Sequence, residues 1–379
     1  MNRHRTPRKL VAAWLLLLLF FAGCSSDEKP APETAHEPPS VEPSPVLKDS
    51  LVATMNYFRV RQAPDMNSET VYMLSENESV LLLDVSDPNA CQRVTLRGFP
   101  YCDPWVKVRT HDGTEGWAYG GGFKAPPGTR IGDILTQSRL AVLFGKDRVP
   151  EIQTYRKRFE QAAFDGACFQ AYVDGKKLRD ETQRQVQEVL DNPDPTKLPD
   201  LSWLKEALPA FFPQLVAEGT RLHLFLNYKE WLKKARHTKG TQDDDFFRLA
   251  VKIYPIDSIE SFYPVWFLQT WDYGGHSLLG SGIHRDLLDQ MNRMVANRNV
   301  FEPEILDFKN QLIQDMTDAH VTYWEPKDAI LKELDEIIAA NYGILTEEDK
   351  IALQTRRKMF KDPAANHIEV NHRAGIHDT

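Results

Sequence analysis

The hydrophobic pattern of this chain changes period once, and that change limits the folds open to it. Up to Lys124 the apolar residues come in short runs rich in β-formers. These are Leu51-Val-Ala-Thr-Met-Asn-Tyr-Phe-Arg-Val-Arg61, Thr70-Val-Tyr-Met-Leu74, Ser79-Val-Leu-Leu-Leu-Asp-Val85, Trp105-Val-Lys-Val-Arg-Thr110 and Glu115-Gly-Trp-Ala-Tyr119. Turn residues separate them, and His111-Asp-Gly-Thr114 is a hairpin signal because Asp-Gly tolerates positive φ. Five such strands suit a small β-barrel over residues 47–124. Ala125-Pro-Pro-Gly-Thr129 is a break, and beyond it apolar residues recur at three- and four-residue intervals.

The second pattern predicts a larger all-α domain over residues 130–365. Helical spacing runs through Tyr155–Phe164, Leu201–Val216, Leu222–Ala235, Phe246–Tyr254, Ala329–Ala340 and Glu347–Phe360. Ile283, Leu287, Leu288, Met291, Met294 and Val295 form one stripe, and Ile305, Phe308, Leu312, Ile313 and Met316 another. The total is about ten helices without a strand ladder. The acidic triplet Asp243–Asp245 and Thr346 before Glu347 are placed as N-terminal caps. Residues 366–379 read as a flexible polar tail, His367, His372 and His377 included.

In front of the barrel stand two segments of another kind. Arg3, Arg5, Arg8 and Lys9 make a basic leader, and an apolar run from Leu10 ends in Ala22-Gly23-Cys24. That order is a secretory signal over residues 1–23, too short for a membrane span of about 20 apolar residues. A cysteine directly after Ala-Gly resembles the lipobox of bacterial lipoproteins, with Phe21 where that family usually has Leu. The resemblance implies cleavage before Cys24 and acyl chains, palmitate among them, on its sulfur and new amino group. Cys24 and residues 25–46, with six prolines, then form a semi-extended tether reaching roughly 60 Å. Ser25, rather than Asp, after the cysteine implies an outer-membrane location facing the periplasm. The partner expected there is the lipid membrane, through acylated Cys24.

Charge supports the lipid as the anchor. The chain carries 46 basic and 54 acidic residues, and losing the leader takes the net charge from −8 to about −12. No basic excess is left for phosphates, so no nucleic-acid partner is expected. An acidic protein is also repelled by anionic headgroups.

A second resemblance covers about 75 residues. Phe58-Arg-Val-Arg-Gln-Ala-Pro64 resembles the opening of bacterial SH3-like domains, and Trp105-Val-Lys-Val-Arg-Thr-His-Asp-Gly-Thr-Glu-Gly-Trp117 resembles their ending. The sequence departs at Ala63, where Gly is usual, and in a loop lengthened around Cys91 and Cys102. Those two cysteines are expected to pair in an oxidising compartment and to stabilise by roughly 3 kcal/mol. Cys168, among apolar neighbours, reads as a buried inert thiol. The family implies contact with peptidoglycan or an envelope protein. Tyr57, Trp105, Trp117 and Tyr119 would form an aromatic floor edged by Arg59 and Arg61; the bland alternative buries Trp105 and Trp117 in the barrel.

Trp271-Asp-Tyr-Gly-Gly-His-Ser-Leu-Leu-Gly-Ser-Gly-Ile-His284 is the densest polar and flexible stretch of the helical region. Asp272, His276 and His284 are candidate ligand-binding residues there, against the reading of a plain interhelix loop. The spacing is not His-Glu-x-x-His, and Gly280-Ser-Gly282 is not a nucleophile elbow, so no metal or cofactor is assigned. The aromatic stretch Phe262–Trp271 is core by default, or a groove for a partner peptide. With no catalytic constellation, the expectation is a non-enzymatic, lipid-anchored binding or scaffolding protein. The alternatives are a cell-wall hydrolase, or a metal- or solute-binding receptor using His276 and His284.

Overall fold

A computed structural model describes residues 50–190, 200–216, 221–255, 263–270, 274–318 and 322–374. Cys24, the tether and Asp272 lie outside the described residues.

Strands β1 (Ser50–Ala53), β2 (Phe58–Arg61), β3 (Thr70–Leu74), β4 (Ser79–Val85), β7 (Trp105–Arg109), β8 (Glu115–Tyr119) and β9 (Phe123–Lys124) make one antiparallel sheet. Its order is β3-β2-β8-β7-β4-β1-β9. Alternation turns Leu51, Val60, Val80, Val106, Val108 and Ala118 into a common core. The two glycines of the family-like ending have separate duties. Gly113 sits at φ +87 in the β7–β8 turn, with Asp112 accepting from the Thr114 amide at 3.0 Å. At Gly116 a Cβ would lie 2.6 Å from the Arg61 carbonyl oxygen, so β8 passes β2 only without a side chain there. Between β4 and β7 the lengthened loop forms its own hairpin, β5 (Val94–Leu96) and β6 (Phe99–Tyr101).

Ten helices follow among the described residues: α1 (Arg130–Phe144), α2 (Val149–Gln161), α3 (Asp165–Val189), α4 (Leu204–Ala207), α5 (Tyr228–Ala235), α6 (Gln242–Ile253), α7 (Ile283–Ala296), α8 (Glu302–Thr317), α9 (Lys327–Ala340) and α10 (Glu347–Met359). Their centre is an aromatic cluster in which Tyr172, Trp231, Phe246, Phe247 and Phe301 pack ring against ring. Thr346 forms the expected cap as a full capping box with Asp349. Barrel and helices belong to one compact unit, Lys48–Thr379.

A small β-barrel followed by a larger helical region is therefore the architecture, but the helical region also carries strands. β10 (Phe211–Val216) and β11 (Arg221–Leu226) form a hairpin where helical spacing is read in the sequence. The open edge of β11 is closed from α3, whose Gln183 and Gln187 side-chain carbonyls accept from the Leu224 and Leu222 amides at 3.0 and 2.8 Å. β12 (Phe267–Gln269), β13 (Gly275–Ser277) and β14 (Thr322–Tyr323) make a second small sheet. The segment read as a flexible tail is held as far as Arg373: Glu369 accepts from the Tyr323 amide, Asn371 and Arg373 donate to Glu325 and Trp324, and Ile368 is buried.

Candidate functional site

On the outer side of the barrel, β2 and β3 present a strip that the core does not use. Arg59 and Met73 are in direct register, and Phe58 pairs with Leu74. The alternation sends Phe58, Val60 and Leu74 inward and leaves Arg59, Val71 and Met73 outside. Met73 is 52% exposed, Val71 40% and Tyr57, at the start of the strip, 82%. β3 is also the last strand of its sheet, so among the described residues one of its edges has no strand neighbour. Two apolar side chains on an edge strand, with a cation on its neighbour β2 and an aromatic just before it, suit an extended peptide or a similar chain.

The wider aromatic floor is not there. Trp105 and Tyr119 are in register and pack edge to face at 5.8 Å inside the core, each less than 5% exposed. The Tyr119 hydroxyl donates to the Gln92 carbonyl at 2.7 Å and accepts from the Asp103 amide at 3.0 Å. Arg61 is buried and donates from Nη1 to the Ser68 carbonyl at 2.6 Å, which ties down the β2–β3 turn. Trp117 is half-buried in register with Arg61 and Lys107. Of the six barrel residues singled out in the sequence, Tyr57 and Arg59 remain on the surface. Val71 and Met73 escape a sequence reading because which face of β3 the core covers is a tertiary fact.

The lengthened loop turns toward the helices. Cys91 and Cys102 are joined by a disulfide across a Cα–Cα distance of 5.2 Å. The hairpin inside that ring buries Phe99 and Tyr101, and Phe99 meets Trp203 at 6.4 Å. Next to it, Arg139 on α1 is buried, stands over the Tyr101 ring and bonds Asp103. Burial pushes the Asp103 carboxyl above its ordinary range, against the pull of Arg139, because its Oδ1 has no donor and only Oδ2 meets the guanidinium.

In the glycine-rich loop the two histidines do not converge. Strand alternation along β13 places His276 on one side and Ser277 on the other. His276 Nδ1 lies 2.7 Å from Thr322 Oγ1, and its ring stacks on His372 at 4.1 Å. On the opposite side the Ser277 hydroxyl donates to Asp315 Oδ2 at 2.6 Å, and buried His284 meets the same oxygen at 2.8 Å. The aspartate stands between serine and histidine, whereas nucleophile activation needs the histidine between the other two. The Glu333 carboxylate holds the rest of the loop, accepting from the amides of Gly280, Gly282 and Arg285. Among the described residues no group of three or more His, Cys, Asp or Glu side chains is placed to hold a metal ion. Cys168 is buried as expected, and burial raises its thiol well above the usual range.

Residues 56–124 match the bacterial SH3 domain family. Neither a curated protein nor a solved structure matches the chain.

Proposed function

We propose that the chain is a lipid-anchored cell-envelope protein with a non-enzymatic binding role, and that its SH3-like barrel contacts peptidoglycan or a protein partner through Tyr57, Arg59, Val71 and Met73. The observation that carries this reading is the exposed strip on the edge of a domain that matches the bacterial SH3 family. Apolar side chains at 40% and 52% exposure on a β-edge invite pairing, and a chain that keeps them gains from a partner. Anchoring rests on the basic leader, the apolar run and Cys24; the Pro-rich tether then lets the barrel reach away from an outer membrane into the periplasm. The helical region, joined to the barrel through buried contacts, would hold a second partner in a fixed place.

Two measurements test this. Retention of the full chain on purified cell-wall sacculi is expected to saturate, and Tyr57→Ala with Met73→Asp to weaken it about tenfold, in line with loss of a central contact pair. Absence of retention, with a positive control retained, removes peptidoglycan and leaves a protein partner. Cys24→Ser is expected to move the protein from the membrane fraction to the soluble one; an unchanged distribution would remove the lipid anchor.

A further inference from the structure

The outer face of the barrel is basic, although the chain as a whole, with 46 basic and 54 acidic residues, is acidic. Strands β3, β2, β8 and β7 lie side by side and carry four basic side chains, Arg59, Arg61, Lys107 and Arg109, against one carboxylate, Glu115. Register puts all five on one face: Arg61 stands opposite Trp117, Trp117 opposite Lys107 and Arg109 opposite Glu115, and Arg59 lies two residues from Arg61. Glu115 is taken by Lys107 at 3.5 Å and by Arg109 at 2.6 Å. Arg61 is buried against the Ser68 carbonyl. Arg59 is exposed, directly opposite Met73, and has no ion pair or hydrogen bond among the described residues. Beside it, β3 carries neither a charged residue nor a proline, two usual guards of an open edge. Its pairing with β2 shifts only toward Thr70, so Tyr72–Leu74 is regular. Every second residue of such a strand turns its N–H and C=O away from its one neighbour.

We infer that this face takes an acidic stretch of extended polypeptide, added as a strand to the free edge of β3 with a carboxylate set on Arg59. The inference rests on the reading of the outer strip as a binding face and names the chemistry of its partner. Main-chain groups of the guest meet those of β3, and the side chains of alternate guest residues fall beside Val71 and Met73. The guest strand lies two strand spacings, about 10 Å, from β2, a span that an arginine and a glutamate cover together. Glu69 and Glu76 lie beyond the two ends of β3, so an acidic guest residue is repelled there and favoured at the middle, opposite Met73. An anionic lipid surface offers the β3 edge no ladder of partners, and it repels the acidic chain as a whole.

The test follows the Met73 methyl resonance of the full chain, ¹³C-labelled at the methionine methyls, with Met73→Leu to identify it. The chain carries Cys24→Ser, so that no acyl group brings it to a lipid surface. The probe is N-acetyl-Val-Thr-Glu-Thr-Val-amide. The expected result is a saturable shift at a dissociation constant on the order of 1 mM, about tenfold weaker with glutamine in place of the glutamate. No shift is expected with proline in place of both threonines, because proline cannot join a ladder. Arg59→Gln, a change at an exposed side chain, should abolish the preference for glutamate over glutamine. Equal responses to the two peptides, or a preference unchanged in Arg59→Gln, overturn the inference, as does a proline peptide that binds like its parent. Shifts with vesicles of pure phosphatidylglycerol and none with the peptide assign the face to lipid and overturn it too. Sacculi that still retain the chain through Tyr57 and Met73, with no response to the peptide, remove the acidic peptide and leave the strip as a binding face; loss of both removes the strip itself.

Discussion

Asp103 and Arg139 meet at 2.9 Å with neither side chain more than 5% exposed, one in the loop after the disulfide and the other on α1. The same guanidinium closes off the carbonyls of Gly120 and Phe123, so one side chain ties three barrel segments to the first helix. Removing one partner strands a buried charge, and Arg139→Met is expected to cost about 3–5 kcal/mol in urea unfolding. Asp103→Leu combined with Arg139→Met should recover most of that loss, because well-packed apolar pairs often replace buried ion pairs at little cost. Equal losses in the single and double variants would assign the effect to packing instead of charge.

The disulfide has a measurable share in the same junction. Cys91→Ser with Cys102→Ser is expected to lower stability by roughly 3 kcal/mol through the entropy of the released loop. Reductant should lower the unfolding midpoint of the natural chain toward that of the variant and leave the variant unchanged. A natural chain indifferent to reductant would show that the Phe99–Trp203 and Asp103–Arg139 contacts hold the hairpin without the bond.

The barrel was legible because its signals are local. Asp112-Gly113 requires a turn, Gly116 lies where β8 passes β2, and β-rich runs recur between them. Thr346 was legible for the same reason: its cap partner, Asp349, is three residues away. The β10–β11 hairpin was not. Leu201–Val216 and Leu222–Ala235 carry apolar residues at helical intervals, and the alternation of Leu222 and Leu224 was hidden among them. What makes β11 a strand is its pairing with β10 on one side and the amide groups of α3 on the other, neither of which is local. The candidate site was legible in part, since Tyr57 and Arg59 are surface residues while Trp105 and Tyr119 face a core completed by the lengthened loop. The ion pair of Asp103 and Arg139, 36 residues apart, gave no sequence signal at all.

Glu333 anchors the glycine-rich loop from a distance of about fifty residues, with one oxygen accepting from Gly280 and Gly282 at 2.6 and 2.9 Å and the other from Arg285 at 3.0 Å. Its charge also faces the positive end of α7. Glu333→Gln puts an amide donor against backbone donors and should cost about 1–3 kcal/mol. Hydrogen exchange at residues 280–285 reads this directly and should accelerate there more than in the barrel. Exchange rates unchanged in the loop would mean that packing against α9, not the carboxylate, holds it.

Asp243, in the first turn of α6, makes stability depend on pH. The residue is fully buried, and burial, then the neighbouring Asp165 carboxylate, pushes its pKa up to about 6, while the Thr238 hydroxyl and the Asp244 amide pull the other way. The folded value lies above the unfolded one of about 4. Between the two, the folded chain keeps a proton that the unfolded chain releases. This contribution is therefore full below about pH 4, falls as the pH rises through 6 and is constant above that. The fall is on the order of 3 kcal/mol, because each of the roughly two pH units between the two values is worth about 1.4 kcal/mol. Asp243→Asn keeps an acceptor for the Asp244 amide and can donate to Asp165, so it should be more stable than the natural chain at pH 7.5 and lose the slope between pH 4 and 7. Unfolding curves for both chains across that range decide it. A constant difference between them would show that the two carboxylates do not share a proton and that Asp243 is ionised throughout.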